Sequence, residues 1–266
     1  ETIVEYVSVR EIEIQDRFTA LDSIREFNQY KVIEAMQHNR LSSTDFYWTT
    51  GYGYGDVGRE KVESIFARVF RGESALVRPA IASGTHALNL TLSGILRPGD
   101  QLLYATGKPY DTLLKVIGTK GSMGGSLMDY GVSYKEVPLK DNLIDVEAVL
   151  DAVEDSTKII AFQRSTGYSD RRALTISELE EAILAVKNRF PEKIVMVDNC
   201  YGEFLEEREP IEIGADIIAG SLIKNPGGGL ALSGGYVVGR EDIVDLVANR
   251  LTAPGLGKDC GLTFGT

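Results

Sequence analysis

The sequence predicts an α/β protein, a three-layer sandwich built around a mostly parallel sheet. Three observations carry this. From about residue 74 onward, candidate strands and helices alternate along the chain. Strand candidates such as IVMV and DIIAG are continuously apolar, which suits strands covered on both faces. The intervening segments carry apolar residues at helical spacing, as Val62, Ile65, Phe66, Val69 and Phe70 do between Arg59 and Phe70.

Taken in order, residues 1–45 read as a helical, peripheral segment, with a loose stripe of Ile24, Phe27, Val32, Ile33 and Met36. The run DFYWTTGYGYGDVGRE then reads as an aromatic and glycine-rich loop, closed by the helix from Arg59. SALVRP is a strand and THALNLTLSGIL a helix; QLLYAT and YDTLLKVIG repeat the pair, as do SYKEVPL and DVEAVLDAV. TKIIAFQ leads into the long helix TISELEEAILAVKNRF. KIVMVDN, ADIIAGS and GGYVVG are three further strands, followed by the helix EDIVDLVANRLT.

Composition narrows the function. Of the 266 residues, 43% are hydrophobic and 25% charged, an ordinary globular profile. A net charge of -11 argues against nucleic acid as a partner. No apolar run approaches the roughly 20 residues of a membrane helix, and the N-terminal run lacks the features of a secretory signal. The two cysteines, Cys200 and Cys260, make no disulfide framework, so a cytoplasmic location is expected. With only His38 and His86 and no zinc-type spacing, no metal site is expected.

In open α/β sheets, ligands bind outside the carboxyl ends of the strands. Those ends here carry Ser83-Gly84-Thr85-His86, Gly107-Lys108-Pro109-Tyr110, Arg164-Ser165-Thr166-Gly167-Tyr168, Asp198-Asn199-Cys200-Tyr201 and Ser221-Leu222-Ile223-Lys224. The chemistry that uses such a set is that of pyridoxal 5'-phosphate (PLP). A lysine amine, Lys224, would hold the cofactor aldehyde. An aspartate, Asp198, would keep the pyridine nitrogen protonated. Ser83, Gly84 and Thr85 at a helix N-terminus, with Ser221, would cradle the phosphate. Tyr110 would stack on the ring. Each feature alone has a plainer reading: a surface lysine, a turn-capping aspartate, an N-cap serine, a packing tyrosine. Their order along successive strand ends favours the joint one. Gly53-Tyr54-Gly55-Asp56-Val57-Gly58 matches the dinucleotide fingerprint, but it lacks a buried strand before it and an acidic residue ending the next one.

The runs GYGYGDVGRE, RPAIASGTHAL, TGKPYDTL, QRSTGYSDRRALTI, VDNCYGEF, GADIIAGSLIKNPGGGLALSGGYVVGR and RLTAPGLG go further. Across nearly the whole chain they resemble the fold-type I PLP enzymes, and within them the methionine gamma-lyase family of aluminium-resistance, cystathionine beta-lyase-like proteins. The resemblance implies a PLP-binding large domain over residues 46–266, with a small C-terminal domain expected to be missing. That domain would supply the arginine that binds the substrate carboxylate. It implies that Lys224 is the aldimine lysine, that Asp198 pairs with the ring nitrogen, that Tyr110 stacks, and that Ser83, Gly84, Thr85 and Ser221 hold phosphate. Tyr52, Tyr54 and Arg59 are the implied contributions to a neighbouring subunit of a homodimer or homotetramer, and Arg164 faces the cofactor. The activity implied is carbon–sulfur elimination from a sulfur amino acid, giving a thiol, a 2-oxo acid and ammonia. Lys224 would act as base, and Tyr110 as acid if the Schiff base lowers its phenol pKa. Another PLP reaction, such as that of an aminotransferase or aldolase, and an inactive fragment are the alternatives.

Overall fold

The computed structural model describes residues 2–49, 52–121 and 124–261. Two helices come first, α1 (Ile3–Glu13) and α2 (Gln15–His38). They lie at the periphery as expected: α1 buries no residue, and α2 buries only Asn28, Lys31 and Ala35 near its C-terminal end. Helix α3 (Val57–Val69) starts where the Asp56 carboxylate accepts a hydrogen bond from the Arg59 backbone N–H. This is what the fingerprint-like run does. Asp56 caps a helix, and Gly58 is a glycine because a Cβ there would sit 2.4 Å from the Asp45 carbonyl oxygen. The run GYGYGDVGRE opens at Gly51, which lies outside the described residues.

The alternating part follows the expected order: β1 (Ser74–Arg78), α4 (Gly84–Ile95), β2 (Gln101–Tyr104), α5 (Asp111–Ile117), β3 (Ser133–Glu136), α6 (Val146–Ala152), β4 (Thr157–Gln163), α7 (Ile176–Arg189), β5 (Ile194–Asp198), β6 (Ile217–Ser221), β7 (Gly235–Gly239) and α8 (Glu241–Leu251). Together the strands form one seven-stranded sheet in the order β1-β7-β6-β5-β4-β2-β3. Every neighbouring pair is parallel except those made by β7, which runs against both β6 and β1.

Because successive strand residues point to opposite faces, each strand feeds two cores. Leu103, Ile160, Val195, Val197 and Ile218 pack with α3, α6 and α7 on one side. Leu102, Ile159, Met196 and Ile217 pack with α4, α5 and α8 on the other. Strands β1, β5, β6 and β7 are buried along their whole length, which is why apolar residues dominate their centres. The parallel direction brings Gln163, Asp198 and Ser221 to the same edge, with Gln163 beside Asp198 in register. Among the described residues no helix is long and apolar enough to cross a membrane.

At the end of β6, Gly220 faces Tyr236 of β7. A Cβ on Gly220 would lie 2.5 Å from the tyrosine ring. The buried Tyr236 ring, stacked on Phe70 at 5.3 Å, cannot move aside. Gly220→Ala is therefore expected to destabilise the chain by about 1–3 kcal/mol through overpacking. Denaturant unfolding checks this, and an unchanged midpoint would refute it.

Candidate functional site

A cavity of about 900 Å³ opens at the carboxyl edge of the sheet. Ser83, Gly84, Thr85, Tyr110, Asp198, Ser221 and Lys224 all line it. Residues spread from 83 to 224 in the sequence thus meet in one place.

One wall is the N-terminus of α4. Ser83, in extended backbone, caps the helix through its Oγ, which accepts from the His86 N–H at 3.1 Å. Gly84 lets this end approach closely: a Cβ there would lie 3.1 Å from Ser221 Cβ and 3.2 Å from Cys200 Sγ. The free N–H groups of the first turn carry the positive end of the helix dipole, which favours an anion. Ser221 lies beside them, buried, and its Oγ has no hydrogen-bond partner. An orphaned buried hydroxyl next to a helix N-terminus suits a phosphate oxygen. His86 plays no such part; its Nδ1 accepts from the Ala82 N–H at 3.1 Å.

Tyr110 stands opposite. Its hydroxyl shares a 2.7 Å hydrogen bond with Thr85 Oγ1. Its backbone N–H donates to Gln163 Oε1 at 3.0 Å. Gln163 is buried at the end of β4, so the sheet itself sets the tyrosine backbone. Burial pushes the Tyr110 phenol well above its ordinary value, against the hydrogen bond from Thr85. In the chain itself this is the reverse of the lowering that an acid role called for.

Asp198 ends β5 almost fully buried, and its Oδ1 accepts from the Cys200 N–H at 3.1 Å. Burial raises its carboxyl, while the Cys200 bonds and the charge of Lys224 act against the rise. The Lys224 amine lies 4.1 Å from the centre of the Tyr201 ring, a cation–π distance. Burial pulls its ammonium down, but Cys200, Asp198 and Tyr201 more than offset this and leave it raised. Burial also pushes the Cys200 thiol well up. The nearby carboxyl of Asp198 thus favours the protonated amine, and the amine in turn holds the carboxyl down.

Arg164 is engaged differently from the expectation, and Arg59, Tyr52 and Tyr54, expected to serve a neighbouring subunit, do not line this chain's own cavity. Arg164 reaches the cavity wall, but its guanidinium is spent on the turn after β5. It donates to the Gly202 carbonyl at 2.6 Å, to Asn199 Oδ1 at 3.2 Å and to Glu206 Oε1 at 2.6 Å. Gly202 must be glycine here, since a Cβ would lie 2.4 Å from Arg164 Cδ. Arg59 is buried away from the cavity, where it donates to the Gly53 and Gly261 carbonyls. Tyr52 and Tyr54 do not line the cavity either and are exposed on the surface, at 90% and 58%. Sequence reasoning gave no role to Tyr201 or the buried Glu203. Tyr201 is next to Cys200 in a strand-end run, and that position was the available signal. A glutamate in the run NCYGEF carries no local sign of burial. Among the described residues no group of three or more His, Cys, Asp or Glu could hold a metal.

The family model for methionine gamma-lyase matches residues 3–266. The uncharacterized protein YnbB of Bacillus subtilis is 50% identical over 246 residues, 92% of this chain and 58% of that protein. A carbon–sulfur lyase involved in aluminum resistance from Clostridium novyi superposes with a TM-score of 0.94 at 46% identity, over 98% of this chain and 63% of that one. The L-methionine gamma-lyase of Pseudomonas putida is 27% identical over 197 residues, 74% of this chain and 45% of that enzyme. The chain therefore spans a little under two thirds of the length of its nearer relatives named here. Its α/β sandwich with a mostly parallel sheet is the fold-type I large domain. By sequence and fold, the chain belongs to the methionine gamma-lyase family.

Proposed function

We propose that this chain forms the PLP-binding part of a carbon–sulfur lyase that acts on a sulfur amino acid. The observation that carries the reading is the convergence of Lys224, Asp198, the α4 N-terminus and the orphaned Ser221 hydroxyl on one cavity. Family membership supports the lyase class, as do the names of the relatives from Clostridium novyi and Pseudomonas putida.

PLP supplies an aldehyde that a lysine amine can hold and a ring that stores electron density drawn from the substrate Cα. The N–H groups of Gly84 and Thr85, with Ser221 Oγ, would hold its phosphate. Asp198, buried at the cavity, would keep a proton on its ring nitrogen. Tyr110, its hydroxyl bonded to Thr85, would lie against its ring. Lys224 Nζ would hold its aldehyde and serve as the base for the substrate Cα proton. That amine must first shed the proton which Asp198 favours, so proton transfer at Nζ is part of the cycle. With one water consumed, the products would be a thiol, a 2-oxo acid and ammonia.

The same proposal includes a homo-oligomer. Ile3, Val4 and Ile12 of α1 are 83%, 73% and 73% exposed. Phe18 and Leu21 of α2 are exposed as well, at 41% and 57%, and a second copy would cover such apolar side chains.

Three outcomes are expected. Borohydride reduction of the chain with PLP places the adduct on Lys224, and Lys224→Ala loses the adduct together with at least about 10²–10⁴ in thiol release, the scale of an acid–base group. An adduct mapped to another lysine overturns the assignment. Tyr110→Phe keeps the adduct but slows turnover by about 10²-fold; unchanged turnover removes the hydroxyl from the mechanism. Light scattering gives the mass of a dimer or tetramer, and a monomer at all concentrations refutes the assembly.

A further inference from the structure

One buried carboxyl has no part in the scheme above. Glu203, in the turn after β5, is 0% exposed. Its Oε1 accepts a hydrogen bond from the Tyr236 hydroxyl at 2.7 Å, and its Oε2 has no partner. Its backbone carbonyl accepts from Asn225 Nδ2 at 2.9 Å. Asn225 directly follows Lys224. Tyr236 sits in β7, the strand to which the lysine loop returns, and its ring packs on Gly220, just before that loop begins.

Glu203 therefore holds the lysine loop from both ends. An ionisable side chain is a costly filler for such a place: it brings a buried polar oxygen that nothing satisfies. An apolar residue would pack there without that cost but could not receive the Tyr236 hydroxyl. The turn around it is also strained. Tyr201 and Phe204 have φ values of 65° and 64°, a region that non-glycine residues keep only when their surroundings over-determine it. Tyr201 is the residue whose ring faces the Lys224 amine.

We propose that Glu203 is a positioning residue for Lys224: by accepting from Tyr236 and Asn225 it fixes the turn in which the amine sits. The inference rests on Lys224 being the cofactor lysine. The titratable groups that face Glu203 are Tyr236 on β7, Asp198 at the end of β5, and Cys200 and Glu209 in the turn that follows. Burial pushes the Glu203 carboxyl up to about 7, against the hydrogen bond from Tyr236. The folded chain thus binds a proton there that the unfolded chain has lost. Stability falls as pH rises from 4.5, the ordinary value, to about 7, and this contribution levels off above.

The test reads Lys224 directly in the cofactor-free chain. Its acylation rate is followed by peptide mass spectrometry across neutral pH, with exposed Lys115 and Lys158 as references. Glu203→Gln keeps an acceptor for Tyr236 but cannot ionise. It is expected to leave Lys224 as slow as in the parent, to remove an inflection near neutrality from the Lys224 profile, and to flatten the fall in stability. Glu203→Leu and Asn225→Ala are expected to speed Lys224 acylation about fivefold, the population change that follows the loss of one net hydrogen bond, with the references unmoved. A purely structural glutamate would lower the melting temperature and leave the Lys224 rate and its pH profile alone. That result in folded Glu203→Leu overturns the proposal; if that variant does not fold, the same result in Asn225→Ala does. Borohydride trapping of PLP in the parent chain separates the two readings. Faster acylation in the variants without a PLP adduct on Lys224 in the parent sinks the cofactor assignment and keeps the positioning role.

Discussion

The site depends on how closely the first turn of α4 comes to the ends of β5 and β6. Gly84 is in contact with both Ser221 and Cys200, and a methyl group there would crowd both. This approach puts helix N–H groups, an unpartnered hydroxyl and a buried carboxylate around one space. It requires a parallel sheet, since only parallel strands bring Gln163, Asp198 and Ser221 to one edge. It also requires α4 to be fixed from behind, which the packing of Leu88, Leu92 and Ile95 against Val244 and Val247 of α8 achieves.

Within that frame, charge decides the states of the side chains. Asp198, Cys200 and Lys224 lie together where water is scarce. Burial acts against every charge there, so the ions that survive are those that support each other. Asp198 and Lys224 each favour the other's charged form, while burial raises the Cys200 thiol. Arg164 serves the wall in a similar way. Its charge is met by Glu206 and by two turn oxygens, which stiffens the segment from Asn199 to Glu206.

Much of this was legible in the sequence because it rests on local signals. Apolar runs marked the strands, and helical spacing marked α3. Ser83-Gly84-Thr85 showed a helix N-terminus, and Asp198 and Lys224 stood out as charges closing apolar strands. What could not be read came from distant partners. The hydrogen bonds that hold the Arg59 and Arg164 guanidiniums reach partners the sequence does not show. Two of them, Gly261 for Arg59 and Glu206 for Arg164, lie far along the chain. Glu203 was hidden for the same reason: Tyr236, which buries it, belongs to another strand.

The reversed direction of β7 has its own consequence. Had β7 run with its neighbours, a long crossover would have had to follow Lys224. Because it runs the other way, the lysine loop is a hairpin clamped at Ser221 and Gly235, which face each other across the pair. The entropy of closing the loop is lost when the sheet forms, before any ligand arrives. A ligand that bonds to Lys224 then meets an amine on a short tether, and its binding energy need not be spent on ordering the chain.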